Sequence, residues 1–201
     1  MKRIFSMLTS CLALFSVSPA HAENARPAGR INENAQDLLE QGIAYLQEAG
    51  TEQDYRKAMQ LFLKAAEMGN KKAPRYAGLL YEQGLGVEQN AETAAFWYEK
   101  GVQAGDLTSG YYLGLLYRDG KGVPQDAEKA AALFSAVEQS DNKSATGVVD
   151  AGYELAVLYE TGIGVVQDME KAIALYREAA QYGQAAANAA LKRLNIPAEE
   201  Q

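Results

Sequence analysis

The chain has 201 residues, of which 48% are hydrophobic and 22% are charged, an ordinary composition for a globular protein. This length predicts a single domain with a substantial core, and the apolar content excludes a chain that is disordered throughout. The net charge of -7 argues against nucleic acids and anionic lipids as partners, because an acidic surface repels phosphate groups.

The first 22 residues have the pattern of a secretory signal peptide. Lys2 and Arg3 form a basic start, residues 4–17 are mostly apolar, and a small-residue cleavage motif ends at Ala22. We therefore predict cleavage near Ala22, a periplasmic or secreted protein, and no membrane insertion of the mature chain. The alternatives are an uncleaved N-terminal anchor and lipoprotein processing at Cys11, which follows Leu-Thr-Ser.

The predicted cleavage changes both the charge and the chemistry of the chain. Without Lys2 and Arg3, the 19 basic residues become 17 against 26 acidic ones, and the net charge goes from -7 to -9. The same cut removes the single cysteine, Cys11, and the single histidine, His21. The mature chain then offers no disulfide, thiolate nucleophile, histidine base or zinc ligand of the nitrogen or sulfur kind. The prediction is a non-enzymatic protein without catalytic residues, cofactor or metal, stabilised by packing alone.

One thirteen-residue pattern occurs three times, at 78–90, 114–126 and 156–168. Each copy contains an apolar-Leu-Tyr segment, then Gly-x-Gly-Val, and ends in Asn or Asp. The shift is 36 residues between the first two copies and 42 between the last two, which places six extra residues within 140–147. The first glycine can end a helix with a positive φ, and the second lets the turn pass close to its neighbour. Since the final Asn or Asp suits a helix N-cap, each unit is predicted as helix, tight turn, helix.

With the Asp-x-x-Lys-Ala segment that follows the turns, this pattern resembles the Sel-one-like repeat family, a relative of the tetratricopeptide repeats. The resemblance implies an all-α fold, a right-handed solenoid of about four helix pairs whose first helices line a concave groove that holds other proteins. The predicted organisation of the chain is a signal peptide at 1–22, a flexible leader at 23–33, the repeat domain at 34–196 and a tail at 197–201. The predicted repeats are 37–72, 73–108, 109–150 and 151–186, with a capping helix within 185–196.

The first helix of each repeat carries an outward row at positions i, i+4 and i+7, if successive residues turn by about 100°. The middle residue of each row is apolar, and apolar patches with polar edges often mark binding surfaces. The predicted partner-binding residues, from the first repeat to the fourth, are Leu39, Ile43 and Leu46; Arg75, Leu79 and Glu82; Tyr111, Leu115 and Arg118; Tyr153, Val157 and Glu160. The alternative is that curvature tucks these residues against the neighbouring repeat. The motif tyrosines are predicted to face the core: Tyr81, Tyr117 and Tyr159.

The predicted function is to bind another protein or a peptide segment in the groove, as an adaptor or regulator that is a monomer when free. The family resemblance also leaves open an immunity protein that inhibits a secreted toxin, and a secreted protein that acts on a host protein. A rival of another class is a β-lactam-binding protein or hydrolase, as in a cysteine-rich branch of the family. That branch staples its helix pairs with cystines, which the predicted mature chain lacks.

Overall fold

The computed structural model describes residues 34–141 and 147–197, and these residues form nine α-helices. The predicted signal peptide and leader, most of the insertion and most of the tail lie outside them. The helices are α1 Ala35–Gln47, α2 Glu52–Glu67, α3 Ala73–Gln83, α4 Ala91–Gln103, α5 Leu107–Asp119, α6 Ala127–Glu138, α7 Val148–Thr161, α8 Met169–Gln181 and α9 Ala185–Arg193. Within the described ranges, no helix combines the length and apolarity that a membrane span requires.

The helices pack in chain order. Helices α1 with α2, α3 with α4, α5 with α6 and α7 with α8 form four pairs, and the second helix of each pair packs on the helix that follows it. The first helices α3, α5 and α7 also contact one another in sequence. This solenoid-like, all-α arrangement of four repeats confirms the predicted fold class.

The Gly-x-Gly turns attach each repeat to the one before it. The first glycine of the third repeat, Gly120, ends α5 in the left-handed region with φ 65°. At the second glycine, Gly122, φ is 68° and a Cβ atom would lie 2.2 Å from the backbone carbon of Ala91 in the preceding repeat. In the fourth repeat Gly164 lies in the same way against Ala127. Both predicted roles of the glycines are therefore confirmed. The first glycine ends a helix with a positive φ, and the second lies too close to the preceding repeat for a residue with a Cβ atom.

A glutamine in each turn makes a contact that the sequence analysis missed. The side-chain amides of Gln89, Gln125 and Gln167 donate to the backbone carbonyl seven residues earlier, at 2.7 to 2.8 Å. These carbonyls belong to the last turn of a first helix, where the helix offers no partner of its own. The recurrence of Gln at one position in all three copies was the sequence signal for this contact.

The core of each repeat is one aromatic ring that lies on the first helix. The four rings, at most 1% exposed, are Phe62, Tyr98, Phe134 and Tyr176. In the first three repeats the ring covers a glycine, and a Cβ atom there would lie 2.4 to 2.6 Å from a ring carbon. The glycines, Gly42, Gly78 and Gly114, let the two helices of a pair approach closely.

The ends of the helix array differ from its middle. Gln41 of α1 is exposed, whereas the residues at the same position of later repeats are Ala77, Leu113 and Leu155, all buried. At the other end Ala187 and Leu191 of α9 pack in the cluster of the fourth repeat. A polar first face and a covering last helix are what a repeat array needs at its ends.

Candidate interaction surface

The middle residues of the predicted rows form what we call the ladder, namely Ile43, Leu79, Leu115 and Val157. Each is half-buried and packs at the edge of a core cluster. The cluster that contains Leu79 also contains Leu113 and Leu116 of the next repeat. Each ladder side chain is therefore partly buried in the core and partly exposed at the surface. For Leu79, the buried part packs against the neighbouring repeat, as the alternative prediction expected.

The prediction that Leu39 faces outward is wrong. Leu39 is 2% exposed and lies in the first core cluster with Ala73 and Ala77 of α3. The physical reason is that the start of the next first helix covers the first position of a row. The same contact recurs one repeat later, where Arg75 lies against Asp106 at the start of α5.

Arg75 ties the second repeat to the third. Its side chain is 12% exposed, and Nη1 lies 3.5 Å from Oδ1 of Asp106. Asp106 also caps α5, because Oδ2 accepts bonds from the amide and the hydroxyl of Ser109 at 3.0 and 2.7 Å. Burial alone would lower the pKa of Arg75, but Asp106 and neighbouring tyrosines outweigh it and raise the pKa. The guanidinium therefore stays charged and acts first as a structural group.

Two tyrosines occupy the first row position in the last two repeats. Both are half-buried. The ring of Tyr153 lies 5.8 Å from that of Tyr176, and the ring of Tyr111 lies 6.2 Å from that of Phe134. They extend the aromatic core toward the ladder, and each keeps a partly exposed edge that a partner could contact.

The third row position carries a pattern that the sequence analysis overlooked. Glu82 accepts a 2.6 Å hydrogen bond from the hydroxyl of Tyr98, and Glu160 accepts a 2.7 Å bond from that of Tyr176. In the other two repeats the core ring is phenylalanine and the row residue is Leu46 or Arg118. The carboxylate is thus present only in the two repeats whose core ring has a hydroxyl to donate. The common spacing of sixteen residues was a readable signal for this pairing.

Arg118 fastens the third repeat to the fourth. Its Nη1 lies 2.5 Å from Oε2 of Glu154, and its Nε lies 2.7 Å from Oδ1 of Asp119. The hydrogen bond from Arg118 lowers the pKa of Asp119. Glu154 occupies the position where the two preceding repeats have tyrosines whose rings stack on Phe62 and Tyr98 at 4.9 and 5.3 Å. An ion pair therefore replaces an aromatic stack at this junction.

Glu160 holds the last helix. Burial raises its pKa, but hydrogen bonds from Tyr176 and Arg193 outweigh burial and leave the pKa below the ordinary value of 4.5. Such a carboxyl contributes stability above its unfolded pKa, and the contribution is lost as the pH falls through the lower folded pKa.

We expect Glu160→Gln to reduce the fall in melting temperature between about pH 5 and pH 3. Thermal unfolding followed by circular dichroism measures this, with Glu99→Gln at an exposed position of α4 as control. A fall in melting temperature as large in Glu160→Gln as in the wild type would contradict this prediction.

Among the described residues, no group of three or more His, Cys, Asp or Glu side chains is placed to hold a metal ion. One cleft between the third and fourth repeats is lined by Glu138, Val148, Gly152 and Leu175, among others.

Comparison with known proteins places the chain in a family. A family model, the Sel1 repeat, matches four times, at residues 40–70, 75–106, 111–136 and 149–183. A Sel1 repeat protein from Oxalobacter formigenes is 31% identical with a TM-score of 0.67, over 80% of this chain and 45% of that chain. Protein c5321, a protective antigen of uropathogenic Escherichia coli strains with an SLR fold, is 30% identical with a TM-score of 0.53, over 80% and 41%.

A third solved structure shows the fold alone. Helicobacter pylori cysteine rich protein B is 22% identical with a TM-score of 0.52, over 71% of this chain and 98% of that one. The chain spans less than half the length of the first two structures. No curated protein matches it at a significant level. Because the four family matches together cover more than half of its residues, the chain belongs to the Sel1 repeat family.

Proposed function

We propose that this protein is an exported binding module that holds another protein against the ladder, without catalysis. The observation that carries the proposal is the ladder itself, one partly exposed apolar residue in each of four successive first helices. Charged and aromatic side chains flank it, and an apolar strip with polar edges is typical of protein interfaces. Proteins of this family generally act as protein-interaction modules.

The charged residues beside the ladder support binding over catalysis. Arg75, Arg118 and Glu160 each pair with a residue of a neighbouring helix, so their charges serve the junctions between repeats. The histidine and the cysteine of the chain both fall within the first 22 residues, which the proposed signal-peptide cleavage near Ala22 would remove. A cystine-stapled β-lactam-binding protein needs pairs of cysteines, whereas this sequence has the single Cys11.

Photo-crosslinking in intact cells tests the proposal. We expect a photoreactive residue at Leu79 and one at Leu115 to capture the same partner protein, because both side chains are partly exposed on neighbouring first helices. The control position is Glu92, an exposed residue of the second helix α4. Mass spectrometry identifies the captured protein and reports whether the chain begins after Ala22.

Two results would contradict the proposal. Equal capture at Glu92 would show that the crosslinks do not depend on the ladder, and no capture at either ladder position would remove the surface on which the proposal rests. A chain that keeps its first 22 residues, or carries a lipid on Cys11, would contradict the export and cleavage near Ala22.

A further inference from the structure

The fourth repeat shows how a tyrosine and glutamate pair receives a cation in this fold. The carboxylate of Glu160 accepts a 2.7 Å hydrogen bond from Tyr176 and a 2.8 Å bond from Nη2 of Arg193. Its side chain is 15% exposed, whereas that of Arg193 is 58% exposed. The guanidinium thus approaches the half-buried carboxylate from the side of the solvent, offered by α9. Arg193 occupies the position in α9 that the ladder residues occupy in the preceding first helices.

The second repeat has the same pair without the cation. Glu82 accepts a 2.6 Å bond from Tyr98, and it is half-buried like Glu160. Arg193 follows Glu160 by 33 residues, and the residue that follows Glu82 by 33 is Leu115, a ladder residue. Leucine cannot compensate the charge, and the nearby Arg75 is paired with Asp106. In the part of the chain that the structure describes, no ion pair involves Glu82.

The hydroxyl of Tyr98 donates a hydrogen bond that fixes one oxygen of the Glu82 carboxylate. Burial, followed by the nearby charge of Glu82, raises the pKa of Tyr98 well above its ordinary value. The phenol therefore remains a donor, and one carboxylate oxygen is fixed by its bond. The other oxygen makes no hydrogen bond that the described residues show. In Glu160, Nη2 of Arg193 lies 2.8 Å from both carboxylate oxygens, so the carboxylate of Glu82 retains the capacity to accept a cation in the same way.

We infer that the ladder binds a polypeptide segment whose arginine or lysine pairs with Glu82 while its flanking apolar side chains contact Leu79 and Leu115. The inference rests on the proposed function and adds the chemical class of the partner. The net charge of -7 attracts a basic segment over a distance, which favours its association.

The neighbouring repeat fixes where the cation can lie. The residue that corresponds to Glu82 in the third repeat is Arg118, a cation already paired with Glu154 and Asp119. The two carboxylates beside Arg118 are already paired with it, so this position lacks the unpaired carboxylate that Glu82 offers. The bound segment therefore carries its basic residue at the second repeat.

Selection from a random library of twelve-residue peptides displayed on phage, panned against the purified protein, tests the inference. We expect the enriched peptides to carry an arginine or lysine between apolar residues. For a synthetic peptide of the enriched sequence, Glu82→Gln is expected to weaken binding about tenfold, because a charge-assisted bond becomes a neutral one. Glutamine still accepts the bond from Tyr98, and an unchanged circular dichroism melt checks the fold. Glu99→Gln on α4 is the matched control, for which we expect unchanged affinity.

The possible failures are distinguishable. Peptides that crosslink to a photoreactive residue at Leu79 or Leu115 but show no basic preference, or bind Glu82→Gln equally well, would overturn the cation inference and leave the proposed function standing. Selected peptides that crosslink at neither position would overturn both. Weaker binding at higher salt to wild type, with a smaller salt dependence in Glu82→Gln, is the additional result expected if the ion pair forms.

Discussion

Substitution of Gly122 by alanine is expected to lower the free energy of unfolding by about 2 to 5 kcal/mol, through two separate causes. The first is the backbone, because φ is 68° and an L side chain in this region costs about 1 to 2 kcal/mol. The second is steric, because the new Cβ would lie 2.2 Å from the carbon and 2.4 Å from the oxygen of Ala91. These are backbone atoms at the start of α4, so no side-chain rotation can relieve the contact.

Gly105→Ala separates the two causes. Its φ is 83°, also in the left-handed region, but no atom lies within 4 Å of the position that its Cβ would take. We expect this control to lose only about 1 to 2 kcal/mol. Urea denaturation followed by the fluorescence of Trp97, the single tryptophan, measures both. Equal losses in the two variants would show that the close approach of the turn to the preceding repeat adds nothing to stability.

The parts of the fold that the sequence predicted are those that depend on local requirements. A helix that ends at Gly120 needs a positive φ, and Asp126 begins the next helix with an acceptor for a free backbone amide. Both demands are satisfied within a few residues of the chain, so the residue types alone reveal them. Repetition then multiplied the signal, which is why the all-α repeat architecture could be predicted.

The parts that the sequence did not predict depend on contacts between repeats. Helical periodicity placed Leu39 on the outer face, but periodicity gives no information about the next first helix that covers it. The ion pair of Arg118 with Glu154 spans 36 residues and becomes visible only when α5 and α7 lie side by side. The hydrogen bond of Tyr98 with Glu82 could have been predicted from the sequence, because tyrosine and glutamate recur together at the same spacing in the fourth repeat. Comparing whole repeats, instead of single helices, would have found it.

Phe134→Ala is expected to cost about 3 to 5 kcal/mol, the usual range for removal of a fully buried phenylalanine. The side chain is 0% exposed and covers Gly114 of the paired helix α5. The cavity cannot close by movement of a side chain from Gly114, since glycine has none. The loss should therefore lie toward the upper part of the range, because the cost grows with the volume that stays empty.

Phe96→Ala is the matched control, because it removes the same side chain from a position that is 51% exposed on α4. We expect a loss of no more than about 0.5 kcal/mol there, in the same urea denaturation experiment. Similar losses in the two variants would mean that the ring of Phe134 is not the centre of its repeat.

The third repeat contacts the second through α4 and the fourth through α7, so weakening the third repeat destabilises both of its neighbours. The whole unfolding transition of Phe134→Ala should therefore shift to lower urea, since each repeat is stabilised mainly by its neighbours.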